Sequence, residues 1–96
     1  MIKITGRHLK LGEGFILFMK NTFEKKVKKF ATKKCSPDII IHKSGTSFRA
    51  EISYYYKKQM LLATSTAENA KKAFSIAIEK LHRQLEKAHE RSCDYA

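Results

Sequence analysis

Apolar and polar positions alternate at the start of the chain, where Ile2 and Ile4 are interleaved with Lys3 and Thr5. This period of two predicts a short half-buried strand ended at Gly6. From about Glu13 the period changes: Phe15, Ile16, Met19, Phe23, Val27 and Phe30 recur at helical spacing, while Lys25, Lys28 and Lys29 fall outside that stripe. The spacing predicts a helix to roughly Ala31, with no Ser, Thr or Asp cap at its start, because Gly12 and Gly14 flank Glu13. Leu17 and Phe18 lie off the stripe and are candidates for an exposed apolar patch.

Thr32 to Asp38 has loop composition, and the β-branched triplet Ile39-Ile40-Ile41 after it reads as a buried strand. Ser44-Gly45-Thr46 marks a turn. Phe48, Ala50, Ile52, Tyr54 and Tyr56 then alternate with Arg49, Glu51, Ser53 and Tyr55 in the clearest strand pattern of the chain, with Tyr54 and Tyr56 facing inward and Tyr55 outward. Lys57-Lys58-Gln59 is expected to turn a hairpin into a strand from Met60 to Thr64. Ser65 with Glu68 fits a capping box for a last helix. Its apolar stripe comprises Ala70, Ala73, Phe74, Ala77, Ile78, Leu81, Leu85 and Ala88 and runs to about Arg91. Some 26 residues of helix span roughly 39 Å, longer than a small sheet is wide, so the last turns should project past the core. The order strand, helix, three strands, helix gives an α+β class. Both helices are expected on one face of a four-stranded sheet.

Ninety-six residues make one small domain, 1–96, with one core. Charge changes the picture more than length does. The chain holds 20 Lys+Arg against 9 Asp+Glu, a net of +11. Seven lysines against the single acid Glu24 fall between Lys20 and Lys34, and Lys80, Arg83, Lys87 and Arg91 form a row on the last helix opposite Leu81 and Leu85. An excess of this kind on two helices points to a polyanion, most directly to RNA bound through its phosphates. Arg83 is the strongest individual candidate, since a guanidinium takes a phosphate bidentately or stacks on a base; the bland alternative is a surface pair with Glu79 or Glu86.

The segments ITGRHLKL (Ile4 to Leu11), Phe23-Glu24-Lys25 and IEKLHRQLEK (Ile78 to Lys87), in that order, resemble the ribosome hibernation promoting factor and ribosome-associated inhibitor A family over nearly the whole chain. The resemblance implies a βαβββα fold similar to double-stranded RNA-binding domains. It also implies a non-enzymatic, cofactor-free cytoplasmic protein. Members lodge in the small-subunit channel where mRNA and the A-site and P-site tRNAs lie, and so keep idle ribosomes silent. On this resemblance Lys25, Lys28, Lys29, Lys80, Arg83, Lys87 and Arg91 are the expected RNA-binding residues, and the small ribosomal subunit with its rRNA is the expected partner. The chain resembles the short form, expected to act as a monomer with a separate ribosome-dimerising factor. Ile16, Thr22, Lys57-Lys58-Gln59 and Asn69 to Ser75 depart from the family pattern. A general RNA-binding or translation-regulating domain of similar fold is the alternative.

Other chemistry is thinly supported. Cys35 and Cys93 have no paired spacing and read as free thiols of a reducing compartment. His89 and Cys93, with His82, are too few for a structural zinc site. No phosphate loop, framed nucleophile serine or recognisable carboxylate pair is present, and an acylphosphatase-like enzyme would rest on Arg7 after Gly6 alone. The longest apolar run, Phe15 to Met19, is far too short to span a bilayer, and no targeting peptide is expected.

Overall fold

The computed structural model describes residues 2–28, 37–56 and 59–94, the last six of them as backbone only. The elements run β1 (Lys3–Arg7), α1 (Glu13–Val27), β2 (Asp38–Ser44), β3 (Ser47–Tyr56), β4 (Gln59–Ala67) and α2 (Ala70–Asp94), the expected βαβββα order. The sheet order is β1-β2-β3-β4, with β1 parallel to β2 and the other pairs antiparallel. A parallel pair cannot be joined by a tight turn, and α1 lies in the crossover between β1 and β2. The β2–β3 hairpin closes on Ser44 opposite Ser47. Gly45, at φ +59°, takes the first place of that two-residue loop, which β-branched or bulky residues adopt only with strain. The helix end expected near Ala31, the loop with Cys35 and the Lys57-Lys58 turn lie outside the described residues.

Alternation along the strands divides the sheet into two faces. Ile39, Ile41, Ala50, Ile52, Tyr54, Tyr56, Leu61 and Ala63 point to one side and are buried there, under Met19, Phe23 and Val27 of α1 and Ala73, Phe74, Ala77, Ile78, Leu81 and Leu85 of α2. Both helices therefore cover the same face, as the pattern predicts, and Phe23 meets Tyr54 with ring centroids 5.8 Å apart. The opposite face has no helix, and Tyr55, Met60 and Leu62 are exposed on it.

Three features differ from the sequence reading. Gly6 lies inside β1 rather than ending it, because pairing with β2 carries on to Arg7 opposite His42. A Cβ there would come within 2.9 Å of the Leu11 side chain and the Leu9 carbonyl, so the glycine lets the following segment fold back onto the strand. β4 runs to Ala67, and Ser65 is a buried strand residue, not a helix cap. The cap is Asn69, whose Oδ1 accepts the Lys72 backbone N–H at 2.7 Å. Sheet pairing up to Phe48 opposite Ala67 outcompetes the earlier helix start, and Glu68 instead meets Lys72 at 3.6 Å. Finally, Leu17 is 58% exposed as expected, but Phe18 is not part of a bare patch. It packs edge-on against Phe74 at 6.0 Å, with the Lys71 ammonium 5.0 Å from its ring centre.

Phe74 is fully buried where the sheet, α1 and α2 converge. Phe74→Ala is expected to lower unfolding free energy by about 3–5 kcal/mol, read from urea denaturation. Asn69→Ala should cost about 1 kcal/mol by the same measurement, which a cap at Ser65 would not produce.

Candidate nucleic-acid interface

The orientation of α2 follows from its buried side. With Phe74, Ile78, Leu81 and Leu85 in the core, steps of three and four residues carry Lys80, Arg83 and Lys87 to the exposed side. Lys72 precedes Arg83 by three helical turns and extends this row towards the start of the helix. Its spacing was visible in the sequence, though the departure of Asn69 to Ser75 from the family pattern obscured it. Arg91 continues the helix in backbone; its side chain, Lys29, and the side chains of His89 and Cys93 lie outside the described residues. Among the described residues no cluster of three metal-ligating side chains occurs.

Lys25 and Lys28 are exposed at the end of α1, on the side away from Met19, Phe23 and Val27. Lys25 and Lys26 occupy its last turn, where the negative end of the helix dipole favours cations. Since α1 and α2 pack side by side on one face of the sheet, their outward lysines and arginine belong to a single helical layer.

The carboxylates within this layer are engaged elsewhere. Glu79 pairs with Lys26 of α1, and Glu86 lies 3.2 Å from His82. Both acids that could have neutralised Arg83 along the helix are thus turned towards other partners. Among the described residues, no ion pair reaches Lys25, Lys28, Arg83 or Lys87. The hydrogen bond from Lys26 is the main reason the Glu79 carboxyl is held below its ordinary range, with the charges of Lys26, His82 and Arg83 adding to it against a small opposing effect of burial.

Lys80 has a second task. Its ammonium donates to the Thr64 carbonyl at 3.0 Å, and the Gln84 amide donates to the Leu62 carbonyl at 2.9 Å. Four helical residues rise about 6 Å and two strand residues about 6.6 Å, so an i,i+4 pair on α2 matches an i,i+2 pair of carbonyls on β4. These are edge-strand carbonyls with no neighbouring strand, and the two side chains close that part of the edge. Lys80 therefore keeps its charge at the surface from a fixed position, unlike Arg83 and Lys87. Periodicity located Lys80 and Gln84 on the helix but carried no signal for the strand they would reach.

A family model described as Sigma 54 modulation protein / S30EA ribosomal protein matches residues 2–92. A ribosome hibernation promotion factor of Rhizobium meliloti is 25% identical over 85 residues, covering 88% of this chain and 45% of that protein. The chain thus spans about half the length of that curated relative. The crystal structure of the Thermus thermophilus Protein Y N-terminal domain superposes with a TM-score of 0.79 at 15% identity, over 88% of this chain and 93% of the other. A ribosomal subunit interface protein from Coxiella burnetii gives 0.73 at 17% identity, over 93% and 97%. At these identities the two structures share the fold.

A carboxylate whose folded pKa is lowered adds stability that is complete above its unfolded value and is lost as pH falls through the folded one. Glu79→Gln should therefore be slightly less stable than wild type at neutral pH, by at most ~1 kcal/mol for so exposed a pair. That difference should fade as the pH drops below about 4, measured by urea titrations across the acid range.

Proposed function

The chain belongs to the Sigma 54 modulation protein / S30EA ribosomal protein family, and on that premise we propose that it is a ribosome hibernation factor acting on the small ribosomal subunit. In this reading it occupies the mRNA and tRNA channel and blocks the A and P sites by steric exclusion, in the cytoplasm, during stress or stationary phase. No catalytic step is required. A rigid domain with a 47 Å long axis excludes ligands by filling space, provided it is held in place.

The observation that carries the reading is the unneutralised cationic row of α2, with Glu79 and Glu86 drawn off by Lys26 and His82. Lys25, Lys28, Lys29, Lys80, Arg83, Lys87 and Arg91 are the residues proposed to grip rRNA phosphates. Each phosphate neutralised releases condensed counterions, so binding should weaken steeply with salt. Shape and phosphate contact suffice for this recognition, since the deep groove of an RNA duplex does not admit side chains. Among the described residues no helix is long and apolar enough to cross a membrane. A separate ribosome-dimerising factor is the further partner this reading allows.

Sucrose-gradient sedimentation tests the proposal. The protein should travel with small subunits, inhibit translation in a reconstituted system, and be displaced by bound mRNA and tRNA. Preference for free duplex RNA, with no displacement, would instead favour a general RNA-binding domain. Arg83→Glu/Lys87→Glu should reduce subunit affinity by at least about tenfold at low salt and flatten its salt dependence, with an unchanged circular dichroism spectrum.

A further inference from the structure

The sheet face without helices carries its own basic group at the hairpin end. Register places Arg7 of β1, His42 of β2, Arg49 of β3 and Thr66 of β4 in one rung across all four strands. Alternation turns this rung outward, because the adjacent rung of Ile41 opposite Ala50 faces the core. Ser44 and Ser47 form the next outward pair, and His42, Ser44, Ser47, Arg49 and Thr66 line an open basin of about 390 Å³. Its polar lining consists of hydroxyls, an imidazole and a guanidinium, all able to donate hydrogen bonds to an anion.

Arg7 and Arg49 flank His42 in this rung rather than pairing with each other on adjacent strands. Three strands set the Arg7 and Arg49 Cα positions about 10 Å apart. Long side chains can converge from that separation on one phosphate or reach two successive ones. The nearest acid is Glu51, whose carboxylate lies 3.2 Å from one nitrogen of Arg49, leaving the rest of that guanidinium fork available. Among the described residues Arg7 makes no ion pair.

We infer that this outward rung is a second phosphate-binding site, which holds the backbone of an RNA segment other than the one on the helical layer. The inference rests on the proposed rRNA-binding function and extends it. Arg7 and Arg49 stand at the end of the sheet where both helices begin, and Lys25, Lys28 and Lys87 stand towards the ends of those helices. The two basic surfaces are on opposite faces, with Lys25, Lys28 and Lys87 at the far end from the rung, so one domain can be gripped by two RNA segments at once. Contact from two sides fixes its orientation, which a single stripe of lysines does not.

Fluorescently labelled full-length protein titrated with small ribosomal subunits between 50 and 200 mM salt tests this. Arg7→Gln/Arg49→Gln should lower the slope of log affinity against log salt by about 2, and its deficit relative to wild type should shrink about tenfold over that range. Replacing both arginines by lysine should restore the slope. Arg7→Gln alone breaks no described ion pair and should lower it by about 1, so lost binding cannot be ascribed to a disturbed Arg49–Glu51 contact. Deficits of the rung variant and of Arg83→Glu/Lys87→Glu should multiply when combined. An unchanged slope for Arg7→Gln while wild type binds overturns the inference and leaves the broader reading standing. Reduced affinity at constant slope also overturns it, because it indicates a protein contact. Failure of wild type to bind subunits overturns both.

Discussion

The seating of α2 on β3 and β4 is the constraint from which the other features follow. Phe74, Ile78, Leu81 and Leu85 are buried there, and together they fix the rotation of a 25-residue helix about its own axis. Turning it by one residue, about 100°, would expose half of that stripe and push a charged side chain towards the core. Burying an unpaired charge costs several kcal/mol, whereas each large apolar side chain buried contributes roughly 1.5–3 kcal/mol. The apolar flank therefore determines where the cations are displayed. No separate device is needed to aim Arg83 outward.

Charge is sorted between the flanks of the same helix. On the side towards α1, Glu79 meets Lys26 and the Lys71 ammonium lies over Phe18. On the side towards β4, Lys80 and Gln84 reach strand carbonyls. Arg83 lies between these two seams and is left to solvent. Surface pairs of this kind add little to stability, and their larger effect is on where negative charge resides. Because Glu79 and Glu86 are engaged by Lys26 and His82, neither forms a direct ion pair with Arg83.

Local periodicity made much of this legible in the sequence. The βαβββα order, the shared face of the two helices, the inward Tyr54 and Tyr56 and the buried stripe of α2 from Ala73 to Leu85 follow from periods of two and 3.6. Features that depend on distant partners were not legible. Ser65 and Glu68 carry a genuine capping pattern, yet the strand pairing that absorbs Ser65 involves Ala50, fifteen residues earlier. Phe18 looked exposed because its partner Phe74 lies on another helix. Arg83 seemed within reach of Glu79 by spacing alone, but Lys26 on the neighbouring helix takes that carboxylate. For the same reason the rung of Arg7, His42 and Arg49 is invisible in a linear reading: it exists only once three strands are placed in register.

The clasp of Lys80 and Gln84 over β4 also bears on self-association. Sheets polymerise by joining the last strand of one copy to the first strand of the next, which requires two available borders on each molecule. Here the β4 border is occupied at the Leu62 and Thr64 carbonyls by the molecule's own side chains. Strand-to-strand growth through that border would first have to displace both side chains. The protection of this border is thus written into a helix rather than into the strand it protects.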